Sequence, residues 1–394
     1  MQCESIFNRR ADVNDNIKPR AIIVGGSLAG LFNAIMLRSI GWQVDIFERT
    51  PHALESRGGG IVLQPEVELA FELAGLKDYP DLGVVSHERL FLNDDGSIAQ
   101  RMHGQQTLTS WPMLYNTMRN AIPDDNYHLN SRLVSVSEED DSKVTAVFED
   151  GRVVTGDLLI GADGVNSTVR SLMLPGITPD YAGYVAWRGL VKEGELDPEV
   201  AELLSQRFVF HQYPGSHILQ YLIPAPDGST RAGDRYFNWV WYRNVSADDL
   251  PKLLTDRTGR SRPTSVPPGL AKQESVDEMH VAAKSQLAPQ MARLVLATKE
   301  PFIQAILDLS VNRMVFGRVI LTGDAAFVPR PHTAASTSKA AANAIDLAVA
   351  LRHGDENLGT VLAHWEQRQI ALGERLQSQG QMLGNRSQFP ASAQ

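Results

Sequence analysis

Cysteine is nearly missing: Cys3 is the single one among 394 residues, so no disulfide can close within the chain, and a reducing cytoplasm is the expected compartment. Long apolar runs are missing too. No stretch approaches the roughly 18 to 20 residues of a bilayer-spanning helix, so a helical membrane protein is not expected. Basic residues are outnumbered, 37 Lys and Arg against 46 Asp and Glu, and the formal charge of -9 is offset by no dense Lys/Arg cluster. Nucleic acid and anionic membrane are therefore poor partners. The first residues, with Glu4, Arg9, Arg10, Asp12 and Asp15, hold no hydrophobic segment and read as a mobile arm over 1–19 rather than a secretory signal. Repeats and low-complexity tracts are lacking, and no metal site is expected.

Against these absences stands one dense signal, AIIVGGSLAGLFNAIMLRSIGWQVDIFER, Ala21 to Arg49. Ala21 to Val24 predict a short buried strand. Leu28, Leu31, Phe32, Ile35, Met36 and Ile40 then recur at helical spacing until Gly41 stops the helix. Between strand and helix, Gly25, Ser27 and Gly30 occupy the glycine positions of GxGxxG, a turn that presents helix N-terminal amides to a pyrophosphate. Glu48 closes the second strand, near where a carboxylate takes ribose hydroxyls. Ser27 puts a Cβ where a glycine would let the backbone approach phosphate, and its hydroxyl can donate in compensation.

Further along, RGGGIVLQ, Arg57 to Gln64, leads three glycines into an apolar strand; it suits either close approach to a flat partner or a plain surface turn. Leu69, Leu73 and Leu76 with Gly75 predict a short helix, Met113 to Ile122 another, and Leu133 to Val136 with Val144 to Phe148 a hairpin. LLIGADGVNSTVR, Leu158 to Arg170, reads as strand, turn and helix start. From Tyr181 the pattern becomes aromatic-rich alternation. Tyr184 to Val191, Arg207 to Tyr213, Ile218 to Pro224 and Tyr236 to Arg243 predict four strands of an antiparallel sheet, with PGSH as a hairpin turn. A proline-rich link, Arg262 to Gly269, returns the chain to helices. Val319 to Leu321 then predict a strand ended by Gly323 and Asp324, followed by an alanine-rich helix from about Ala335 to Arg352, with its stop at Gly354. A last helix, roughly Leu358 to Leu383, has one apolar side that suits core packing and the contact of a homodimer equally.

The glycine turn, the Asp163-Gly164 turn and the Gly323-Asp324 pair, in that order, resemble the class A flavoprotein monooxygenases, or aromatic hydroxylases, over about Ala21 to Ala371. GGSLAG, TSWPMLY, YAGYVAWRG and GDAAFVPRPHTAASTSKAAANA look most like the dihydroxypyridine hydroxylase branch, which shares the serine of the turn. The resemblance implies an α/β fold: a Rossmann-like FAD-binding domain, an inserted antiparallel-sheet substrate domain and C-terminal helices. The corresponding divisions are 20–180 and 291–355 for the FAD-binding domain, 181–290 for the sheet domain, and 356–394 for the C-terminal helix and tail.

It further implies FAD as cofactor, NADH or NADPH as a transient reductant, and O2. Oxygen would pass through a flavin hydroperoxide to an electron-rich, hydroxypyridine- or phenol-like ring. Gly25, Ser27, Leu28, Gly30, Glu48, Arg49, Arg57, Val134, Asp163, Gly323, Asp324, Pro331, Thr333, Ala334 and Ala335 are the cofactor contacts that follow. The chain departs from the family pattern at Phe327, where histidine is usual, and at Thr333 and Ser336, where glycines commonly stand.

Ring activation calls for a base, and a histidine suits neutral pH. His211 and His332 are the catalytic candidates, and Tyr213, Tyr221 and Tyr242 the substrate contacts. Strand alternation puts Val209, His211 and Tyr213 on one face and Phe208, Phe210 and Gln212 on the other. A strand histidine or tyrosine more often serves packing than substrate, and Arg188 suits an anion anchor or, in preference, the domain interface. Epoxidation, decarboxylative hydroxylation and a non-enzymatic flavin-binding role remain alternatives. A nicotinamide-only dehydrogenase would leave Asp163 and Asp324 unexplained.

Overall fold

The computed structural model describes residues 18–52, 54, 59–76, 82–139, 142–352 and 357–389. Most of the expected arm, Arg57 and Gly354 lie outside these residues. Short helical turns apart, the first half runs β1 (Arg20–Val24), α1 (Leu28–Ser39), β2 (Gln43–Phe47), β3 (Gly60–Val62), α2 (Pro65–Leu73), β4 (Val84–Leu92), β5 (Ile98–Ser110), α3 (Trp111–Arg119), β6 (Tyr127–His128), β7 (Leu133–Glu139), β8 (Lys143–Phe148), β9 (Val153–Gly156), β10 (Leu158–Gly161) and α4 (Thr168–Met173). The second half runs β11 (Asp180–Lys192), α5 (Pro198–Leu204), β12 (Arg207–Tyr213), β13 (Ser216–Ile223), β14 (Tyr236–Asn244), β15 (Ser265–Val266), α6 (Gln273–Gln286), α7 (Pro289–Leu296), β16 (Phe302–Asp308), β17 (Val315–Phe316), β18 (Val319–Leu321), α8 (Ser336–Arg352) and α9 (Leu358–Gln388). No described helix is long and apolar enough to cross a membrane.

Six strands form one sheet in the order β17-β18-β10-β1-β2-β6, parallel throughout except at the β17 edge. Ala21, Ile22 and Ile23 are fully buried, as a parallel sheet covered on both faces requires. Helix α1 is buried nearly all round, because α3 and α8 pack against the sides that its leucine stripe leaves open. Arg38 in its last turn complements the helix dipole.

A second sheet has nine strands, β15-β16-β11-β14-β13-β12-β4-β5-β3. It reaches beyond the expected 181–290, taking β3, β4 and β5 from the first third of the chain and β16 from further on. Strand β5 escaped sequence reading because most of it is exposed and polar, so it shows no alternation of apolar residues. One face of the sheet, with Trp187, Val209, Ile218, Trp239 and Trp241, packs on Met279, Ala283, Met291 and Leu294 of α6 and α7. The register pairs Ala186 with Tyr242, His217 with Tyr242, and Tyr221 with Asn238, so Tyr184, His217, Tyr221 and Tyr242 share the opposite face. The expected hairpin gains β9 as a third strand.

Helix α9 runs past its expected end to Gln388. Its first half packs through Val361, Leu362 and Trp365. The second half is lined by glycines: side chains at Gly373, Gly380 and Gly384 would meet the Phe327 ring, the Arg330 backbone and the Tyr184 hydroxyl. Those glycines let the helix lie directly on the segment that follows β18.

Candidate active site and cofactor cradle

The glycine turn is a matter of space. Gly25 has φ +108, and a Cβ on it would collide with the Ala162 carbonyl; one on Gly30 would collide with the Gly25 oxygen. Ser27 caps α1 with extended backbone, and its side chain makes no capping bond. The hydroxyl and the acid-free first turn are thus available to an anion. Glu48 is buried and accepts from Gly26 N and Thr50 N, each at 2.9 Å, and from the Thr50 hydroxyl at 3.0 Å. It therefore braces the turn. Tyr127 donates to Gly26 O at 2.8 Å from behind, burial holding its phenol protonated. Leu28 is buried at the turn, Arg49 is exposed just beyond Glu48, and Val134 is 52% exposed on β7.

Asp163 lies beside the turn, its Cα 2.8 Å from where a Gly25 Cβ would stand. Its carboxylate faces α4, accepting from Thr168 N at 2.6 Å, Val169 N at 3.2 Å and the Ser167 hydroxyl. Burial pushes this carboxyl up while those hydrogen bonds pull it down. The side chain is a helix brace, and the half-buried turn at Gly164, φ +78, has open space where a Cβ would stand.

After β18, Gly323 N donates to Asn343 Oδ1 at 3.0 Å. The Asp324 side chain, 41% exposed, receives Lys339 Nζ and the Ser336 hydroxyl, both at 2.9 Å. Lys339, 1% exposed by its side chain, also donates to Phe327 O. Sequence reading passed over this lysine, although a cation amid the alanines of α8 was its signal. Pro331 to Thr333 form a helical turn, and Ala334 takes a left-handed φ of +53. Thr333 donates to Arg330 O at 3.1 Å, and Ala335 N to Thr333 Oγ1 at 3.3 Å. Arg330 forks onto Asp308 at 2.7 to 3.1 Å and reaches Asn385 at 2.8 Å, which holds the loop against β16 and α9.

His211 and Tyr213 lie away from this cradle. His211 is 1% exposed; its Nδ1 accepts from Ala288 N at 3.3 Å, which puts the ring proton on Nε2, facing Asp94 at 3.0 Å. It ties the β4-β5 turn and the start of α7 to the sheet. Tyr213 donates to Gln286 at 3.0 Å. Alternation grouped these residues correctly, but a period of two does not say which face meets the helices.

The other candidates converge. Tyr184 OH lies 2.9 Å from His332 Nε2, the Tyr242 and His332 rings are 4.5 Å apart, and His217 stands 4.7 Å from Tyr242 and 5.1 Å from His332. His217 Nδ1 is 2.5 Å from Ser387 Oγ. Burial pulls His332 down to about 4, with Arg330 adding to the effect, and His217 down to about 3, with His332 adding. Both imidazoles are uncharged at neutral pH. Among the described residues His332 Nδ1 and His217 Nε2 have no partner. Tyr221, pushed up to about 12 by burial, stacks edge-on to Phe208, and Ala334 packs on the same cluster. Arg188 lies at the junction, 2.6 Å from where a Gly59 Cβ would stand, with its guanidinium over Phe302. Sequence reading missed His217 because it took PGSH as a turn, whereas β13 already begins at Ser216.

An available serine hydroxyl, an open helix N-terminus, a turn that only glycine fits, a half-exposed acid at Asp324 and a left-handed loop at Ala334 together suit a dinucleotide flavin. A family described as FAD binding domain-like matches residues 181–308. The 2,6-dihydroxypyridine 3-monooxygenase of Paenarthrobacter nicotinovorans is 34% identical, over 95% of this chain and 92% of its own. This chain belongs to the class A FAD-dependent aromatic monooxygenases. The 6-hydroxynicotinate 3-monooxygenase of Bordetella bronchiseptica is 32% identical over 44% of this chain and 48% of its own. The solved 2,6-dihydroxypyridine-3-hydroxylase from Arthrobacter nicotinovorans superposes with a TM-score of 0.88 at 33% identity, covering 95% of this chain and 94% of that one. As an aromatic monooxygenase of this class, the protein uses FAD, with NAD(P)H and O2 as co-substrates.

Proposed function

We propose that this monooxygenase hydroxylates a small planar ring of hydroxypyridine or phenol type, held beside the junction where the tyrosine-histidine face of the nine-stranded sheet meets loop 331–335. The observation that carries the reading is the pair of uncharged imidazoles, each with one nitrogen held by a protein hydroxyl and the other open. With Nε2–H turned to the Tyr184 hydroxyl, His332 Nδ1 accepts a hydrogen bond from a ring hydroxyl, which draws that proton away from its oxygen and raises electron density at the neighbouring ring carbons. Tyr184 holds the opposite nitrogen and fixes the plane of the imidazole. Tyr221 and Tyr242, both protonated because both are buried, wall the ring and exclude water.

Bound FAD supplies the oxygen-transfer chemistry. The chain supplies the hold: Gly25, Ser27, Leu28 and Gly30 at the pyrophosphate, and Glu48, Arg49 and Val134 on the AMP side. Asp324, steadied by Lys339, would hold the ribityl chain, and the backbone from Pro331 to Ala335 would hold the ring system. The name of the Paenarthrobacter relative supports a hydroxylated pyridine in particular.

The test is a screen of hydroxypyridines, phenols and hydroxybenzoates for stimulated NADH or NADPH oxidation, with product detection to separate hydroxylation from peroxide release. A hydroxypyridine converted to hydroxylated product is expected. Stimulation by none of the rings, or peroxide alone from all of them, overturns the reading. His332→Asn is expected to lower kcat/KM about 100-fold or more.

A further inference from the structure

We infer that Ser387, in the last turn of α9, is a positioning residue that sets the tautomer of His217, so that the C-terminal helix takes part in substrate recognition. The inference rests on the cavity reading above. Ser387 is 7% exposed, and its oxygen already receives Gln388 Nε2 at 2.9 Å. The hydroxyl proton is therefore free for His217 Nδ1, 2.5 Å away. With Nδ1 accepting, the ring hydrogen sits on Nε2. The open nitrogen of His217 is thus a donor, and it matches an acceptor on the ring: a carbonyl-like or ionised oxygen, or an unprotonated ring nitrogen.

The helix end is anchored well enough to impose this. Asn244 Nδ2 donates to Gln388 O at 2.9 Å, tying the last turn to the end of β14. Phe389 rests edge-on against Tyr184 and over Gly183, where the β11 register shifts; a Cβ there would stand 3.1 Å from the Phe389 ring.

The FAD-loaded protein is titrated with 2,6-dihydroxypyridine, which bears a second oxygen, and with phenol, which does not, while flavin absorbance reports binding. Ser387→Ala is expected to weaken dihydroxypyridine binding about tenfold, the loss of one positioned hydrogen bond, and to leave phenol unchanged. KM should rise while kcat changes by less than about threefold, and Ser387→Thr should restore both. Ser387→Cys keeps the side-chain size with a poor donor, and should behave like the alanine variant even if the latter folds badly. Nitrogen spectra of 15N-histidine-labelled protein read the tautomer without turnover. The wild type should show Nε2-H at the resonance that His217→Gln removes, and Ser387→Ala should lose that preference. Wild-type binding in Ser387→Ala and Ser387→Cys, with weak binding in His217→Gln, overturns the role of Ser387 alone. Wild-type binding in His217→Gln, or no binding of either probe to the wild type, removes the cavity reading and the inference with it.

Discussion

At the scale of single residues, the cradle is built by exclusion of side chains as much as by their presence. Gly30→Ala drives a Cβ into the Gly25 carbonyl and should cost about 1 to 3 kcal/mol of stability, with FAD lost on dialysis; melting curves and the ratio of flavin to protein absorbance check both. Gly164→Ala is the contrast, since nothing stands within 4 Å of its Cβ and only the left-handed backbone is strained, by about 1 kcal/mol. Lys339→Met leaves Asp324 without its buried cation and should weaken FAD affinity by about tenfold or more, read by fluorescence titration of the apoprotein. The paired histidines His217 and His332 give a pH signature. Unfolded imidazole titrates near 6.5, and the folded ones near 4 and 3, so below 6.5 the unfolded chain binds protons that the native state refuses. Stability should be level above that value and fall as pH drops through the window towards 4, by at most about 1.4 kcal/mol per pH unit for each histidine. Melting temperatures recorded across this range should decline less steeply in His217→Asn and His332→Asn. The sequence made Gly25, Gly30 and Gly323 legible as turn residues because a Cβ at each would collide with a neighbour. His217 and Ser387 were hidden, since neither belongs to a pattern and their meeting depends on where a distant helix ends.

At the scale of elements, periodicity was a dependable guide to what shares a face and a poor one to what that face touches. The aromatic strands fall where alternation put them, and His211 still faces α7 rather than the cavity. The exposed strand β5 offered no apolar pattern at all. Helix α9 shows a similar limit: its leucines and tryptophan were visible as a stripe, whereas the glycines that let its second half lie close to Phe327, Arg330 and Tyr184 belong to no such stripe. Gly380→Val places a side chain 2.9 Å from the Arg330 backbone nitrogen and should lift the helix from loop 331–335. A loss of about 1 to 3 kcal/mol and faster FAD release are expected, while the exposed Met382→Ala should change neither; thermal melting and flavin fluorescence decide this.

At the scale of the whole molecule, the three motifs specified the architecture because a dinucleotide needs all of them at the ends of adjacent strands. Domain limits were less legible. Neither sheet is drawn from one continuous segment: β4 pairs with β12, joining Glu88 to Arg207, and β10 pairs with β18, joining Leu159 to Val319. Composition along the chain cannot report such exchanges, because each pairs strands far apart in sequence. The interleaving also bears on how the protein is made. A ribosome releases the glycine turn early and Asp324 late, with nearly all of the aromatic sheet in between. Until the chain beyond Leu321 has emerged, the glycine turn after β1 and the Asp324 turn after β18 cannot stand together on the two sides of β10. A chain stalled before β18 would carry the first sheet without its β17 and β18 strands, its β10 edge open.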